Sequence, residues 1–376
     1  MDEIRALLGN LKDNDWWVRK ETARKLLAYP EELYLPDLEK WLRNGEDAIL
    51  RNASMETYKE LGERALGPLV YFLRDEDSDV RIFSANVLGD IKSPMALQAL
   101  VKAMQDPDDN VRIAVIEALG KIGDTRAVGP LSALLGDMPW TAMAAIAALG
   151  KIGGEKALAA LYKCLENQEY MGMACSALEK AGDRSSIEHL VPLMDRDDAK
   201  ELVLQAIVGI AEREKVKLSP SRLSCNLDQL TDWLNSPQDE VRRAAFIALS
   251  WSEDPRGLPY FLKAFQDDLL LEYAVKGLLS LGDQAVPEII KAMQQPCKNK
   301  GMLAKVLAMT GAKETLMLFA GDEDNEVRAE VALAIGQIRT PEAAEALQAL
   351  SRDPVEEVRA AALLSLRNSE REVYNQ

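Results

Sequence analysis

Residues 106–124 read DPDDNVRIAVIEALGKIGD. Three other stretches copy them in the same register: DEDSDVRIFSANVLGDIKS at 75–93, DEDNEVRAEVALAIGQIRT at 322–340 and DPVEEVRAAALLSLRNS at 353–369. Each opens with an acidic turn, passes through Val-Arg and continues in Ala and Leu. Within the first stretch Val111, Val115, Ala118 and Leu119 are apolar at steps of four, seven and eight, which places them on one face of an α-helix. The carboxylates of the turn at 106–109 stand where capping groups are needed by the first free N–H groups of that helix. Gly120, Gly150 and Gly336 fall near the ends of such helices and read as left-handed C-terminal caps.

Taking the residue before Arg as the start of each second helix, the same register recurs at Val18, Leu50, Val80, Val111, Thr141, Tyr170, Leu202, Val241, Leu270, Asn299, Val327 and Val358. These are twelve units about 31 residues apart, a period that suits a pair of helices. A first helix such as ALQALVKAM at 96–104 precedes each acidic turn. At 376 residues the chain is longer than one hydrophobic core supports, and the period resolves this in favour of an array. The predicted fold is therefore all-α, an α-solenoid of about twelve two-helix repeats, because such a unit cannot bury its apolar face without a neighbour.

This repeat resembles the HEAT family, and in particular the short bacterial HEAT-like repeats of the phycobilin-lyase type. The resemblance implies a right-handed superhelix with one concave and one convex surface. It also implies a ladder in which a turn Asp and an Arg six residues later tie adjacent repeats. Asp13 and Arg19, Asp75 and Arg81, Asp106 and Arg112, Asp322 and Arg328, and Asp353 and Arg359 have that spacing. Repeats five to seven depart from it, with Ala142, Met171 and Val203 where Arg is expected. The long interval between Leu202 and Val241 contains the polar run EREKVKLSPS at 212–221. It divides the array into repeats one to seven (1–212), a polar insertion and candidate hinge (213–226) and repeats eight to twelve (227–376). The polar tail after Leu366 is expected to fray.

With 45 basic and 61 acidic residues the net charge is -16, a field that repels phosphate backbones and anionic lipid surfaces, so neither nucleic acid nor a membrane is an expected partner. Cys164, Cys175, Cys225 and Cys297 have no metal or redox spacing and read as reduced packing residues. The charged start and the lack of any run of eighteen apolar residues point to a cytoplasmic protein. The single histidine, His189, rules out the di-iron chemistry of some HEAT proteins and reads as a surface or helix-end residue. Trp16, Trp41, Trp233 and Trp251 read as packing between repeats. Neither a phosphate loop, a nucleophile elbow nor a metal-ligand set is present, so no catalytic residue, metal or cofactor is expected.

Binding is left to the face opposite the core of the second helices. Counting from each start, positions two and six lie on that face. They are charged in the outer repeats, as at Lys20, Arg24, Glu56, Glu272 and Lys276, and mostly apolar between, at Ile82, Ile113, Met143, Leu204, Val208 and Ile247. Trp140, Tyr170 and Met173 accompany the central ones. These nine residues from Ile82 to Ile247 form a candidate groove for an apolar helix or extended segment of a partner protein. Two outcomes are open at this level: the side chains face solvent, or tight curvature buries them against neighbouring helices. The expected function is a non-enzymatic scaffold or adaptor for a partner protein. The alternative implied by the resemblance is a chromophore lyase subunit or chaperone of the phycobilin-lyase kind.

Overall fold

A computed structural model describes residues 2–43, 47–219, 222–223, 225–338 and 340–374, with side-chain environments up to residue 368. Every regular element among them is helical, and the α-helices fall into twelve consecutive pairs. The first seven pairs are α1 (Asp2–Asn10) with α2 (Trp16–Leu26), α3 (Leu35–Leu42) with α4 (Ala48–Leu61), α5 (Leu66–Phe72) with α6 (Ser78–Ile91), α7 (Leu97–Ala103) with α8 (Asp109–Ile122), α9 (Val128–Ala133) with α10 (Pro139–Ile152), α11 (Gly154–Cys164) with α12 (Met171–Ala181), and α13 (Arg184–Leu190) with α14 (Lys200–Arg213). Five follow: α15 (Leu227–Trp233) with α16 (Asp239–Ser250), α17 (Leu258–Ala264) with α18 (Leu271–Leu281), α19 (Val286–Met293) with α20 (Lys300–Met309), α21 (Lys313–Leu316) with α22 (Asn325–Ile335), and α23 (Pro341–Leu350) with α24 (Glu356–Tyr374).

The chain divides into two compact units, Met1–Glu214 and Lys215–Gln376. In each, a first helix packs on its own second helix, and each second helix packs on the second helix of the following pair. This is the stacking of an α-solenoid. Leu88, Leu100, Leu119, Leu131, Leu149 and Leu161 are fully buried in the first unit, each stabilising the stack by about 1.5–3 kcal/mol. Phe261, Phe265, Leu278, Leu307 and Val331 fill the core of the second.

Two glycines expected as caps have another use. Gly120 lies inside α8 and Gly150 inside α10, and a Cβ on them would sit 2.9 Å from Ala148 and from Ala177 respectively. Gly89 is placed in the same way against Ala118, at 2.7 Å. Mid-helix glycine costs about 1 kcal/mol against alanine, and close approach of successive second helices offsets it here. Gly336, also right-handed at φ -61, faces Ser365 in the same manner. The left-handed cap of α8 is instead Gly123, at φ 73.

Two further expectations change. Between α14 and α15 the residues Leu218, Leu223 and Cys225 are buried, so the polar insertion carries apolar anchors; its positions 220, 221 and 224 lie outside the described residues. The last helix runs on to Tyr374 where fraying was expected, since residues 367–374 contain no proline or glycine to stop it.

Candidate interaction surface

The acidic turns are built as the repeat pattern requires. Asp108 caps α8 by accepting from the N–H groups of Asn110 and Val111, and Asp106 accepts from the N–H of Asp108 at 3.0 Å. Six residues on, Arg112 donates to the Asp106 carbonyl at 3.0 Å. Arg19, Arg81, Arg328 and Arg359 make the equivalent bond to the carbonyls of Asp13, Asp75, Asp322 and Asp353. The spacing of six therefore encodes a bond within one repeat.

Bonds between repeats are fewer. Arg81 forks onto the Asp106 carboxylate at 2.8 and 2.9 Å, and Arg328 onto Asp353 at 2.7 and 3.0 Å. All four side chains are largely buried, which makes these bidentate, charge-assisted pairs strong. The neighbouring guanidinium draws the Asp353 carboxyl below its usual range and raises Arg328 in turn. Among the described residues Arg19, Arg112 and Arg359, expected in the same ladder, do not reach a following carboxylate: Arg112 turns back to Asp109 at 2.6 Å, and the Nε of Arg19 finds no acceptor.

Two rungs come from residues the six-residue spacing does not reveal. Arg43, the residue after α3, grips Asp75, while Arg51 lies over the Phe83 ring at 4.9 Å. Lys300 replaces Arg and reaches Asp322 at 2.6 Å. A Lys at the first position of the second helix was the signal for the latter. In the gap, Ala142, Met171 and Val203 are buried, so apolar contact stands at the position that holds the rung arginine in other repeats.

Of the nine candidate binding residues, five face outward and four do not. Ile82, Ile113, Met143 and Met173 are half-buried, and Trp140 is 68% exposed beside Met138. Tyr170, Leu204, Val208 and Ile247 are buried and drop out of the surface. In α14 the buried stripe falls one residue later than the count from Leu202: Val203 and Leu204 have no exposure while Leu202 keeps 39%, lying over the open side of Gly172. Tyr170 sits at the start of α12, where its ring packs inward; burial raises its hydroxyl pKa. Carrying the position-six count to the last two repeats yields Leu333 and Leu364, 40% and 52% exposed, a pair missed because the count stopped at Lys276.

Along α10 the residues Trp140, Met143, Ala147 and Lys151 share one face by helix periodicity. Beside it, between α10, α12 and α14, opens a cavity of about 660 Å³ lined by Ala147, Gly150, Lys151, Glu169, Gly172, Met173, Ser176, Ala177, Lys180 and Leu202. Its cause is local: position six is Glu56 and Glu117 in earlier repeats but Ala147 and Ser176 here, and Gly172 adds no side chain. Lys151 and Lys180 continue a column that starts with Lys59, Asp90 and Lys121. Asp90 takes both earlier lysines, at 3.5 and 2.8 Å. Burial works against its charge, yet the lysine hydrogen bonds prevail and hold it below the usual carboxylate range.

The remaining chemistry is quiet. Cys175 is buried and pushed up to about 12, and Cys164 is raised for the same reason, which keeps both thiols protonated and unsuited to attack. His189 is exposed near the end of α13 and stacks on Tyr162 at 3.8 Å. Trp41 is buried, whereas Trp16 is 47% exposed and bridges repeats by donating to Glu56 at 2.7 Å. Among the described residues no helix is long and apolar enough to cross a membrane.

Stacked helix pairs of this kind define a helical-repeat solenoid. Residues 66–142, 139–211 and 286–367 match the family of HEAT repeats, more than half of the chain, and the chain belongs to that family. Comparison with curated proteins yields no match. Among solved structures, importin beta is similar with a TM-score of 0.55 at 14% identity, covering 96% of this chain and 64% of that one. The complex of CpcE and CpcF of phycocyanin lyase from Nostoc sp. PCC7120 is similar at 22% identity and a TM-score of 0.37, covering 61% of this chain and 92% of that one. An engineered protein is similar at 20% identity and a TM-score of 0.32, covering 98% and 99%.

Proposed function

We propose that this protein is an interaction scaffold without chemistry of its own, and that the second-helix face of repeats three to six receives an apolar segment of a partner protein. The observation that carries this reading is the row Ile82, Ile113, Met143 and Met173, half-exposed and bordered by Trp140 and the cavity beside Met173. Apolar side chains left open in a row mark a partner site, and an exposed tryptophan is the type of residue that anchors one. Unbranched Met143 and Met173 let the surface repack around what it binds. The burial of Leu204, Val208 and Ile247 supports a surface centred on these repeats.

The test is affinity capture from lysate of the source organism with the wild-type chain, Met143→Glu and Leu269→Glu. Leu269 is 85% exposed in the second unit and serves as the control for any added surface charge. At least one captured protein is expected to disappear with Met143→Glu and persist with Leu269→Glu. An identical set from all three proteins would place the binding surface elsewhere.

A further inference from the structure

The central cavity has a charge pattern that its surroundings do not share. Its floor is apolar and small, formed by Ala147, Met173, Ala177 and Leu202, and its rim carries Lys151 and Lys180. Upstream in the same column Lys59 and Lys121 are both taken up by Asp90. Lys151 and Lys180 are exposed and have no carboxylate partner among the described residues. Glu169 is the single acidic side chain of the lining. Thus two free cations border an apolar hole in a chain whose net charge is -16.

Building on the groove reading above, we infer that this cavity takes one large apolar side chain of an acidic partner segment, whose flanking carboxylates pair with Lys151 and Lys180. Volume and charge both support this occupant. A hole of about 660 Å³ accommodates a leucine or aromatic side chain together with part of its backbone. Lysine ammonium groups on flexible stems adapt to carboxylates on either side of such an anchor. The chain's own field opposes an acidic segment at long range and favours a basic one. Preference for the acidic segment is therefore a local property of these two lysines, and it stands out once salt screens charges beyond about 8 Å.

The experiment compares two labelled amphipathic peptides that share leucines at helical spacing and carry either glutamate or lysine at every other position. Fluorescence anisotropy is recorded with the full chain at about 150 mM salt. The glutamate peptide is expected to bind about tenfold more tightly. Lys151→Glu/Lys180→Glu should reverse the preference, the neutral pair Lys151→Gln/Lys180→Gln should erase it, and Ala147→Trp, which fills the cavity from an exposed position, should remove both peptides. Circular dichroism checks that each variant is folded. If the lysine peptide binds as well as the glutamate peptide, or the lysine substitutions leave the preference unmoved, the charge inference is overturned; the groove reading survives it as long as Ala147→Trp still abolishes binding. Absence of binding by either peptide, or indifference to Ala147→Trp, overturns both.

Discussion

Repeats three and four and repeats five to seven belong to the same compact unit and stack in the same way, yet they close the edge at the start of their second helices differently. In the first group Asp77 and Asp108 cap α6 and α8, and Arg81 is locked between the carbonyls of its own turn and the carboxylate of the next. In the second group α10 and α12 begin without a side-chain cap, at Met138 and Tyr170, and the arginine position is apolar and buried at Ala142, Met171 and Val203. The centre thus gives up caps worth about 1 kcal/mol each together with the arginine rung, its edge keeping the pairs Arg196–Asp198 and Lys200–Asp197 in the turn leading into α14. What it gains is exposed apolar surface, at Met138, Trp140 and Met143. The ion-paired rung thus lies at the edge of repeats three and four, and the most exposed part of the apolar row, Trp140, at the edge of repeat five.

The strongest way to break that contrast is to remove one rung. Arg81→Leu strands the Asp106 carboxylate, only 8% exposed, without its cation. A loss of about 3 kcal/mol is expected, measured by urea unfolding together with hydrogen exchange to localise it to α6 and α8. Adding Asp106→Leu should recover most of the loss, because the uncompensated charge goes with it. Should Arg81→Leu cost less than about 1 kcal/mol, the rung is an ordinary surface pair and the contrast disappears.

A smaller effect is expected with acid in the second unit, where Arg328 holds Asp353 below its usual range through the paired hydrogen bonds. Because the native value is depressed, the contribution is fully present above the unfolded value of about 4 and is lost as pH falls through the native one. The unfolding midpoint of the wild type should therefore drop between pH 7 and 3 more than that of Asp353→Asn, whose amide does not titrate. Equal acid dependence of the two proteins would show that Asp353 contributes nothing to it.

Much of this architecture was legible because helix pairs repeat at a period no other element shares. The twelve starts all lie in or beside second helices, whereas Asp106 and Arg112, expected to tie adjacent repeats, bond within one repeat. Three features escaped for definite physical reasons. Leu202, Val203 and Leu204 are all apolar, so periodicity alone does not say which of them faces the core, and the buried stripe of α14 was placed one residue early. Gly120 is a cap by its position near a helix end, but its role is set by Ala148 in another repeat, and a local reading does not contain that neighbour. The rung from Arg43 to Asp75 joins a helix end to a turn outside the six-residue pattern. For the site, the apolar residues at position two raised a surface as one of two open outcomes, and Ile82, Ile113 and Met143 are half-buried there. The cavity, which is an absence of side chains at Ala147, Gly172 and Ser176, left no residue to notice.

The smallest expected effect sharpens the contrast from the other side. Trp140 is the second residue of α10 and is 68% exposed, so Trp140→Ala removes little buried area and places a better helix former near a helix start. Its cost in stability should stay within about 0.5 kcal/mol, measured by the same urea titration as Arg81→Leu. Capture of the partner that depends on Met143 should nevertheless weaken, since an exposed aromatic side chain contributes to a complex what it does not contribute to the fold. A stability loss above about 1 kcal/mol would mean that Trp140 belongs to the packing of repeat five, and the edge without the arginine rung would then be holding the stack together after all.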